Sequence, residues 1–206
     1  MSESPSPHEL AWQAVDKDQP APLEQVFGQH PDVKAWNVPA YGTWLHYAAS
    51  SGSQKVFEYL LSAGTDLNAK NRDGATPLVC AASSNRLRIV RLMLERGAEI
   101  SSQTANANPL FACISGSAMD THPVHSSGNP PTDRLEIVKL LLDGGLDPAI
   151  QYDLQSYGRM DAITFAWLFG RRDIARIVAE RLADGDLVKV EMMLEAADQA
   201  ANSAAS

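Results

Sequence analysis

The chain has 206 residues, of which 45% are hydrophobic, and this is enough to bury a core in one domain or in two small ones. Its formal net charge of -8 argues against nucleic acid as a partner, because a polyanion is bound by clustered lysine and arginine. The same charge favours a basic partner, whose approach is accelerated by long-range attraction.

The sequence indicates neither a targeting signal nor a disulfide framework. Residues 1–7 are polar, and no apolar segment of the signal-peptide type follows them. No stretch approaches the ~20 apolar residues that a membrane-spanning helix needs. Cys80 and Cys113 both lie in apolar helical segments, so we expect buried, reduced thiols. We therefore expect a cytoplasmic protein that does not contact a membrane.

The first predicted unit spans approximately residues 8–37 and is a weak copy of the unit after it. Residues 32–37 repeat the pattern of residues 66–71, which lie 34 positions later. The same spacing places Leu23, Val26 and Phe27 over Phe57, Leu60 and Leu61. An atypical sequence is expected of a terminal unit in a chain of stacked repeats, because its outer face meets solvent.

The second and third predicted units, 38–70 and 71–102, show the repeat most clearly. Residues 43–49 align with residues 76–82 at a spacing of 33 positions. The segments that follow keep this spacing, namely 56–61 with 89–94 and 64–66 with 97–99. Pro77 suits a first helical position, apolar residues then recur at helical spacing, and Gly97 suits a left-handed helix end. Each unit is therefore predicted to be a pair of helices that buries its apolar face only against neighbouring pairs.

The fourth predicted unit, 103–150, is interrupted by an insertion. It opens with Asn108-Pro109-Leu110, and about fifteen residues, 117–131, separate its two helices. Asp120, His122 and His125 in this insertion are potential metal ligands, but two histidines in a proline-rich loop are too few, so we expect no metal. The insertion is either a tolerated surface loop or a recognition loop, and both interpretations stay open.

The fifth predicted unit, 151–183, contains the apolar segment 165–170 but lacks the Thr-Pro start. Residues 187–197 predict a final helix, which either caps the stack or begins a sixth unit, and we assign a cap to 184–199. The terminal residues 1–7 and 200–206 are rich in Ser, Pro and Ala and are predicted to be flexible tails.

These units resemble the ankyrin repeat, whose consensus runs Gly-x-Thr-Pro-Leu-His-x-Ala-Ala, then Val-x-x-Leu-Leu, then Gly-Ala-Asp. Residues 72–100 carry the motif best, in Gly74, Thr76-Pro77-Leu78, Ala81-Ala82 and Gly97-Ala98. The resemblance implies an all-α solenoid of about five helix-turn-helix units in a single domain, 8–199. It has a C-terminal capping helix and an inserted loop in the fourth unit. We expect Leu92 and Leu140 to be buried between adjacent units.

The resemblance also implies that a partner binds the face formed by the turn tips and the exposed side of each first helix. Carried over by position, the candidate partner-binding residues of that face are Tyr41, Tyr47, Ser50, Arg72, Asp73, Ser83, Tyr157, Leu168 and Phe169. His122 and His125 of the insertion are added to this set. Tyr157, Leu168 and Phe169 are either exposed anchors or, if the register of the degenerate fifth unit slips, core residues. The same alternative holds for Tyr41, Trp44 and Tyr47.

No phosphate-binding loop, Cys-x-x-Cys pair, nucleophile elbow or His-Glu-x-x-His motif is found, so neither a catalytic site nor a cofactor is predicted. His46 stands at the consensus histidine, where a structural hydrogen bond is expected. We predict a monomeric module that binds and occludes a partner protein, such as a basic toxin or enzyme. Small free-standing ankyrin proteins resemble immunity proteins of bacterial toxin systems, which makes that role one hypothesis. The alternatives are an adaptor or secreted effector that binds a host or regulatory protein, and an enzyme or enzyme subunit with a metal in the 117–131 loop.

Overall fold

The structure is a computed structural model that describes residues 4–100, 103–116, 131–155 and 157–204. Asp120, His122 and His125 of the insertion lie outside these residues. The first half of the chain forms α1 (Pro7–Asp16), α2 (Pro20–Gln29), α3 (Pro31–Lys34), α4 (Trp44–Ser51), α5 (Gln54–Ser62), α6 (Pro77–Ser83) and α7 (Leu87–Glu95). The second half forms α8 (Pro109–Ser115), α9 (Pro131–Asp143), β1 (Gln151–Leu154), β2 (Gly158–Asp161), α10 (Ala162–Leu168), α11 (Arg172–Ala183) and α12 (Leu187–Ala204).

Three predicted helix-end residues are confirmed, namely Pro77, Pro109 and Gly97. Pro77 begins α6 and Pro109 begins α8, each at a position whose missing N–H would have no helical acceptor. Asn108 caps α8, because its Oδ1 accepts a hydrogen bond of 2.8 Å from the backbone N–H of Leu110. Beyond the end of α7, Gly97 has a φ of +76°, a conformation that glycine adopts without steric cost.

The predicted fifth unit, 151–183, differs from the all-α expectation, because its first residues form a two-stranded hairpin. Strands β1 and β2 pair antiparallel, with Tyr152 opposite Met160 and Leu154 opposite Gly158. The more buried residues of the hairpin, Tyr152, Leu154 and Met160, alternate with exposed ones, as strand geometry requires. The period-two pattern covers only four residues per strand, so the sequence alone predicts no more than a turn here.

Two rows of helices carry the core. The inner helices α4, α6, α8 and α10 pack side by side in this order, and α12 follows α10. Among the outer helices, α9 contacts both α7 and α11. The buried side chains between the rows form one continuous cluster that runs from Ala11 to Ala197. Stacked helix pairs of this kind bury their apolar faces only against each other.

The expected burial of two leucines was wrong by one position. Leu92 and Leu140 are half-buried, whereas their neighbours Met93 and Leu141 are completely buried. Both helices carry three consecutive apolar residues here, so the sequence leaves open which of them points inward. The contact with the adjacent helix decides which of these residues points into the core.

Both ends of the fold extend further than the sequence predicts. Pro7, at the end of the predicted amino-terminal tail, begins α1, and its N-cap Ser6 forms a capping box with Glu9. At the other end, α12 continues through residues 200–204, which were also predicted to be a tail. This helix packs against α10 and α11 and contributes Leu194 and other residues to the core.

The amino-terminal helix pair is joined to the next pair by polar contacts as well as by apolar packing. The hydroxyl of Tyr47 donates to the carboxylate of Asp16. The hydroxyl of Ser53 donates to the backbone oxygen of Val15 at 2.6 Å. These bonds join the end of α1 to α4 and to the α4–α5 turn, so the amino-terminal helix pair is part of the stack.

Candidate functional site

The inner helices share a register that can be counted from their N-cap residues, Thr43, Thr76, Asn108 and Asp161. Four positions after each N-cap stand Tyr47, Cys80, Ala112 and Phe165 in turn. Residues at equivalent positions of stacked helices form a row across the stack. This row runs from large to small to small to large, so a depression is expected at α6 and α8.

A groove of about 520 Å³ lies at that depression. Its floor contains the small residues Cys80 and Ser83 of α6 and Ala112 and Ser115 of α8. Tyr41 lines it on the amino-terminal side, whereas Phe111, Leu154 and Phe165 line it on the carboxy-terminal side. The groove therefore brings together four of the predicted site residues, namely Tyr41, Ser50, Asp73 and Ser83.

The aromatic residue on the amino-terminal wall is Tyr41, not Tyr47. Tyr47 is completely buried, so its prediction as a contact residue was wrong. Its ring is covered by Tyr41, at 4.8 Å between ring centroids, and by Trp12, at 4.7 Å. Burial raises the pKa of Tyr41 above its ordinary value, so this side chain stays neutral at physiological pH.

Ser50 lies at the edge of the groove but offers almost no surface, since only 2% of it is exposed. Its hydroxyl is hydrogen-bonded to that of Ser84 at 2.8 Å, and its carbonyl accepts from Nε of Arg86 at 2.7 Å. The prediction of Ser50 as an exposed contact was wrong because α6 and Arg86 close over it. Ser83, at the end of α6, is half-buried and remains accessible in the floor.

A connected set of aromatic rings forms the carboxy-terminal wall. Phe111 and Phe165 stack with an interplanar angle of 25° and a centroid distance of 4.9 Å. Tyr152 meets the edge of Phe111 at 4.9 Å, and its hydroxyl accepts from Nδ2 of Asn108 at 3.0 Å. Phe169 continues the set at 4.7 Å from Phe165. The wall is thereby held from two sides, by the hairpin and by α10.

The predicted anchors of the fifth unit have different environments. Tyr157 in the hairpin turn is 42% exposed and Phe169 at the end of α10 is 37% exposed. Leu168 is half-buried and packs against the core. None of the three lines the groove, although Phe169 touches its wall through Phe165. Their role in binding stays a prediction.

Charge at the groove comes from the turn between α5 and α6. Asp73 is exposed and lines both the groove and an adjacent cleft of about 330 Å³ between the turn tips. Its neighbour Arg72 lines only that cleft, together with Asn37 and Pro39. Burial raises the pKa of the Cys80 thiol to about 12, so the thiol in the groove floor is neutral at physiological pH.

His46 has the structural role that its position predicts. Its Nδ1 accepts from the backbone N–H of Thr43 at 3.2 Å, and its Nε2 is 3.1 Å from the backbone oxygen of Ala75 in the next turn. The bond to Thr43 leaves the ring proton on Nε2, which donates to Ala75. His46 thus links adjacent units and is completely buried.

The residues that sequence reasoning missed are those that shape the groove: Cys80, Ala112, Phe111 and Phe165. The spacing from the N-cap residues is present in the sequence and places three of them in one row. The sequence does not show the hairpin contact that fixes Phe111, because that contact depends on the pairing of β1 with β2.

Neither a metal cluster nor a membrane span is present in the described part of the chain. Within the described ranges, no three His, Cys, Asp or Glu side chains lie together as a metal would require. In that same part of the chain, no helix has the length and apolarity to cross a bilayer. His122 and His125, two of the predicted contact residues, lie outside it.

Comparisons with known proteins identify the repeats. Residues 12–104 match the family model for ankyrin repeats in three copies. An ankyrin repeat protein of Rickettsia felis is 30% identical over 119 residues, which are 56% of this chain and 48% of that protein. An ankyrin repeat protein of fowlpox virus is 36% identical over 61 residues, 30% of this chain and 14% of that protein. The RelA-associated inhibitor of Mus musculus is 36% identical over 62 residues, 30% of this chain and 8% of that protein.

Residues 12–104 thus match ankyrin repeats, and the chain covers less than half the length of each of these relatives. Ankyrin repeats bind other proteins.

Proposed function

We propose that this protein holds a segment of a partner protein in the groove between Tyr41 and Phe165 and thereby occludes that segment. The observation that carries the proposal is the groove itself, in which small residues of α6 and α8 lie between two aromatic walls. Central depressions with aromatic rims are where a few residues supply most of the binding energy of an interface.

A pull-down with a matched pair of variants tests this proposal. The wild-type chain, Ser83→Arg and Lys139→Glu are used as baits in native lysate, and bound proteins are identified by mass spectrometry after a salt wash. Ser83 lies in the groove floor, whereas Lys139 is exposed on the outer helix α9. We expect one partner at unit stoichiometry to be retained by wild type and Lys139→Glu and lost with Ser83→Arg. Equal retention by all three baits would contradict binding in the groove.

Alkylation of Cys80 gives a second readout of groove occupancy. In a Cys113→Ala background, Cys80 is the single thiol, and its raised pKa makes its reaction with iodoacetamide slow. A partner seated on the groove floor should slow the reaction further. An unchanged rate in the purified complex would place the partner elsewhere.

The finer form of the proposal is a dedicated inhibitor, namely an immunity protein that neutralises a basic toxin. It rests on the charge of -8 and on the capacity of the groove to cover a partner segment. Co-expression with the product of a neighbouring gene tests it directly. Rescue of growth by wild type and not by Ser83→Arg is the expected result, and a harmless neighbour that forms no complex would contradict it.

An adaptor or effector that binds a host or regulatory protein is the second candidate. The observation that favours it is the name of one relative, the RelA-associated inhibitor of Mus musculus, which denotes association with another protein. A translocation assay with a reporter fusion separates this candidate from an immunity protein. Reporter signal in the recipient cell is expected of an effector, and its absence would count against this candidate.

A further inference from the structure

The groove has a shape and a charge that restrict what a partner can place in it, and the following inference rests on the proposed function. We propose that the partner inserts one bulky apolar or aromatic side chain between Tyr41 and Phe165, and that a lysine or arginine beside this anchor pairs with Asp73. The partner segment is therefore a basic–aromatic one. The depression in the groove, its apolar walls and the carboxylate of Asp73 support this proposal.

The depression results from side-chain size and not from a gap between helices. Helices α6 and α8 are in contact, and a Cβ added to Gly116 at the end of α8 would overlap the carbonyl of Ser83. The row across the inner helices changes from Tyr47, which is buried under Tyr41, to Cys80 and Ala112 and returns to Phe165. A surface that lacks two large side chains between two aromatic ones is complementary to a protruding large side chain.

The walls favour an apolar or aromatic anchor over a polar one. Phe165 is stacked on Phe111, and Val79 and Leu154 also line the groove. These side chains are fixed by their own packing, because Phe111, Phe165 and Val79 are all less than 10% exposed. A preformed apolar wall binds an anchor without a further loss of its own conformational entropy. An aromatic anchor can also adopt an offset or edge-on contact with the rings.

A single carboxylate gives the groove its charge. Among the described residues that line it, Asp73 is the only one with a formally charged side chain. No ion pair of Asp73 is found in the described ranges. Arg86 also lies near Tyr41, but it is buried and donates to the carbonyl of Ser50. Arg72 does not line the groove, although it lines the adjacent cleft to which Asp73 also contributes. A cation on the partner therefore has its counter-ion at Asp73.

Selection from a random dodecapeptide display library tests the inference. The full chain is the target, and Ala112→Phe, which fills the depression, is used for counter-selection. We expect enriched peptides to combine an aromatic or large aliphatic residue with a lysine or arginine. Their affinity should fall about tenfold or more on Ala112→Phe, as expected when a central anchor loses its pocket. Lys139→Glu, exposed on α9, should bind them as wild type does.

Asp73→Asn tests the charge separately from the shape. The amide keeps the size of the side chain but removes the charge, so the enriched peptides should bind several-fold more weakly at low salt. Their affinity should also depend less on ionic strength than it does with wild type. Circular dichroism and urea unfolding show whether each variant is folded. If Ala112→Phe does not fold, Ser83→Arg replaces it.

The outcomes separate this inference from the proposed function. The inference is overturned, and groove binding is left intact, if Ala112→Phe blocks the enriched peptides but they lack a large apolar residue. The same holds if their affinity for Asp73→Asn equals that for wild type. Peptides that bind Ala112→Phe and Ser83→Arg as well as wild type overturn the inference too. Groove binding by the partner is then decided by the pull-down, which does not depend on peptide composition.

Discussion

At the scale of single residues, the groove depends on the close packing of small side chains. Gly116 ends α8 directly against the backbone of Ser83, and this contact keeps α6 and α8 adjacent. Its φ of -62° is open to any residue, so glycine is needed here for space and not for backbone freedom. The small residues are therefore part of the packing as well as the floor.

Gly116→Ala should destabilise the fold by roughly 1–3 kcal/mol, because the added Cβ must displace backbone. Gly28→Ala is the matched control, since Gly28 lies inside α2 and has open space where its Cβ would lie. This control should gain up to about 1 kcal/mol, as helical glycines do on replacement by alanine. Urea unfolding measures both, and a neutral Gly116→Ala would show that α6 and α8 have room to separate.

His46 should make the stability depend on pH. Burial lowers the pKa of His46 in the folded state, so the unfolded chain takes up a proton at a higher pH than the folded chain does. The contribution of His46 to the free energy of unfolding is therefore fully present above the ordinary histidine pKa. It is lost as the pH falls from that value toward the lowered pKa of His46 in the folded state. His46→Gln should lose less stability than wild type between about pH 7.5 and pH 5.5, by urea unfolding. Equal losses in the two proteins would contradict this assignment.

At the scale of secondary-structure elements, contacts between helices decide which face of each helix is buried. Residues 140–142 of α9 are all leucine, yet Leu141 is completely buried and Leu140 is not. Contacts of α9 with α7, α8 and α11 select the buried position. In the same way, the hairpin β1–β2 fixes the carboxy-terminal wall of the groove through Tyr152.

Leu141→Ala should cost about 2–5 kcal/mol, since it leaves a cavity among three helices. Leu140→Ala removes the same atoms from a half-buried position and should cost clearly less. The comparison is made by urea unfolding of both variants against wild type. Similar losses would mean that the inward face of α9 is wrongly assigned.

Continuity of the core is the property of the whole molecule that matters most for binding. The groove walls come from opposite parts of the stack, Tyr41 before α4 and Phe165 in α10, so their separation depends on every helix between them. A solenoid whose units unfolded independently would not hold these walls at a constant distance.

The four tryptophans allow this coupling to be measured. Trp12, Trp36 and Trp44 cluster at the amino-terminal end, whereas Trp167 lies in α10 with its Nε1 donating to Asp198 at 2.6 Å. In Trp167→Phe, fluorescence reports the amino-terminal end and far-ultraviolet circular dichroism reports all helices. We expect the two urea transitions to coincide, because one core cluster connects the ends. Separate transitions would show that the amino-terminal pairs unfold on their own.

The sequence by itself determined the helix pairs of residues 43–97, their boundaries and their ankyrin resemblance, because proline, glycine and apolar spacing act within a few residues. It also indicated Ser83 of the groove floor, but not Cys80, Ala112, Phe111 or Phe165. Only the tertiary structure decided which of the predicted site residues a partner can reach. Tyr41 covers Tyr47, Arg86 and α6 enclose Ser50, and the hairpin supports Phe111. For Ser50 and Phe111, exposure depends on neighbours that lie about one repeat away in the chain, and a local pattern does not contain them.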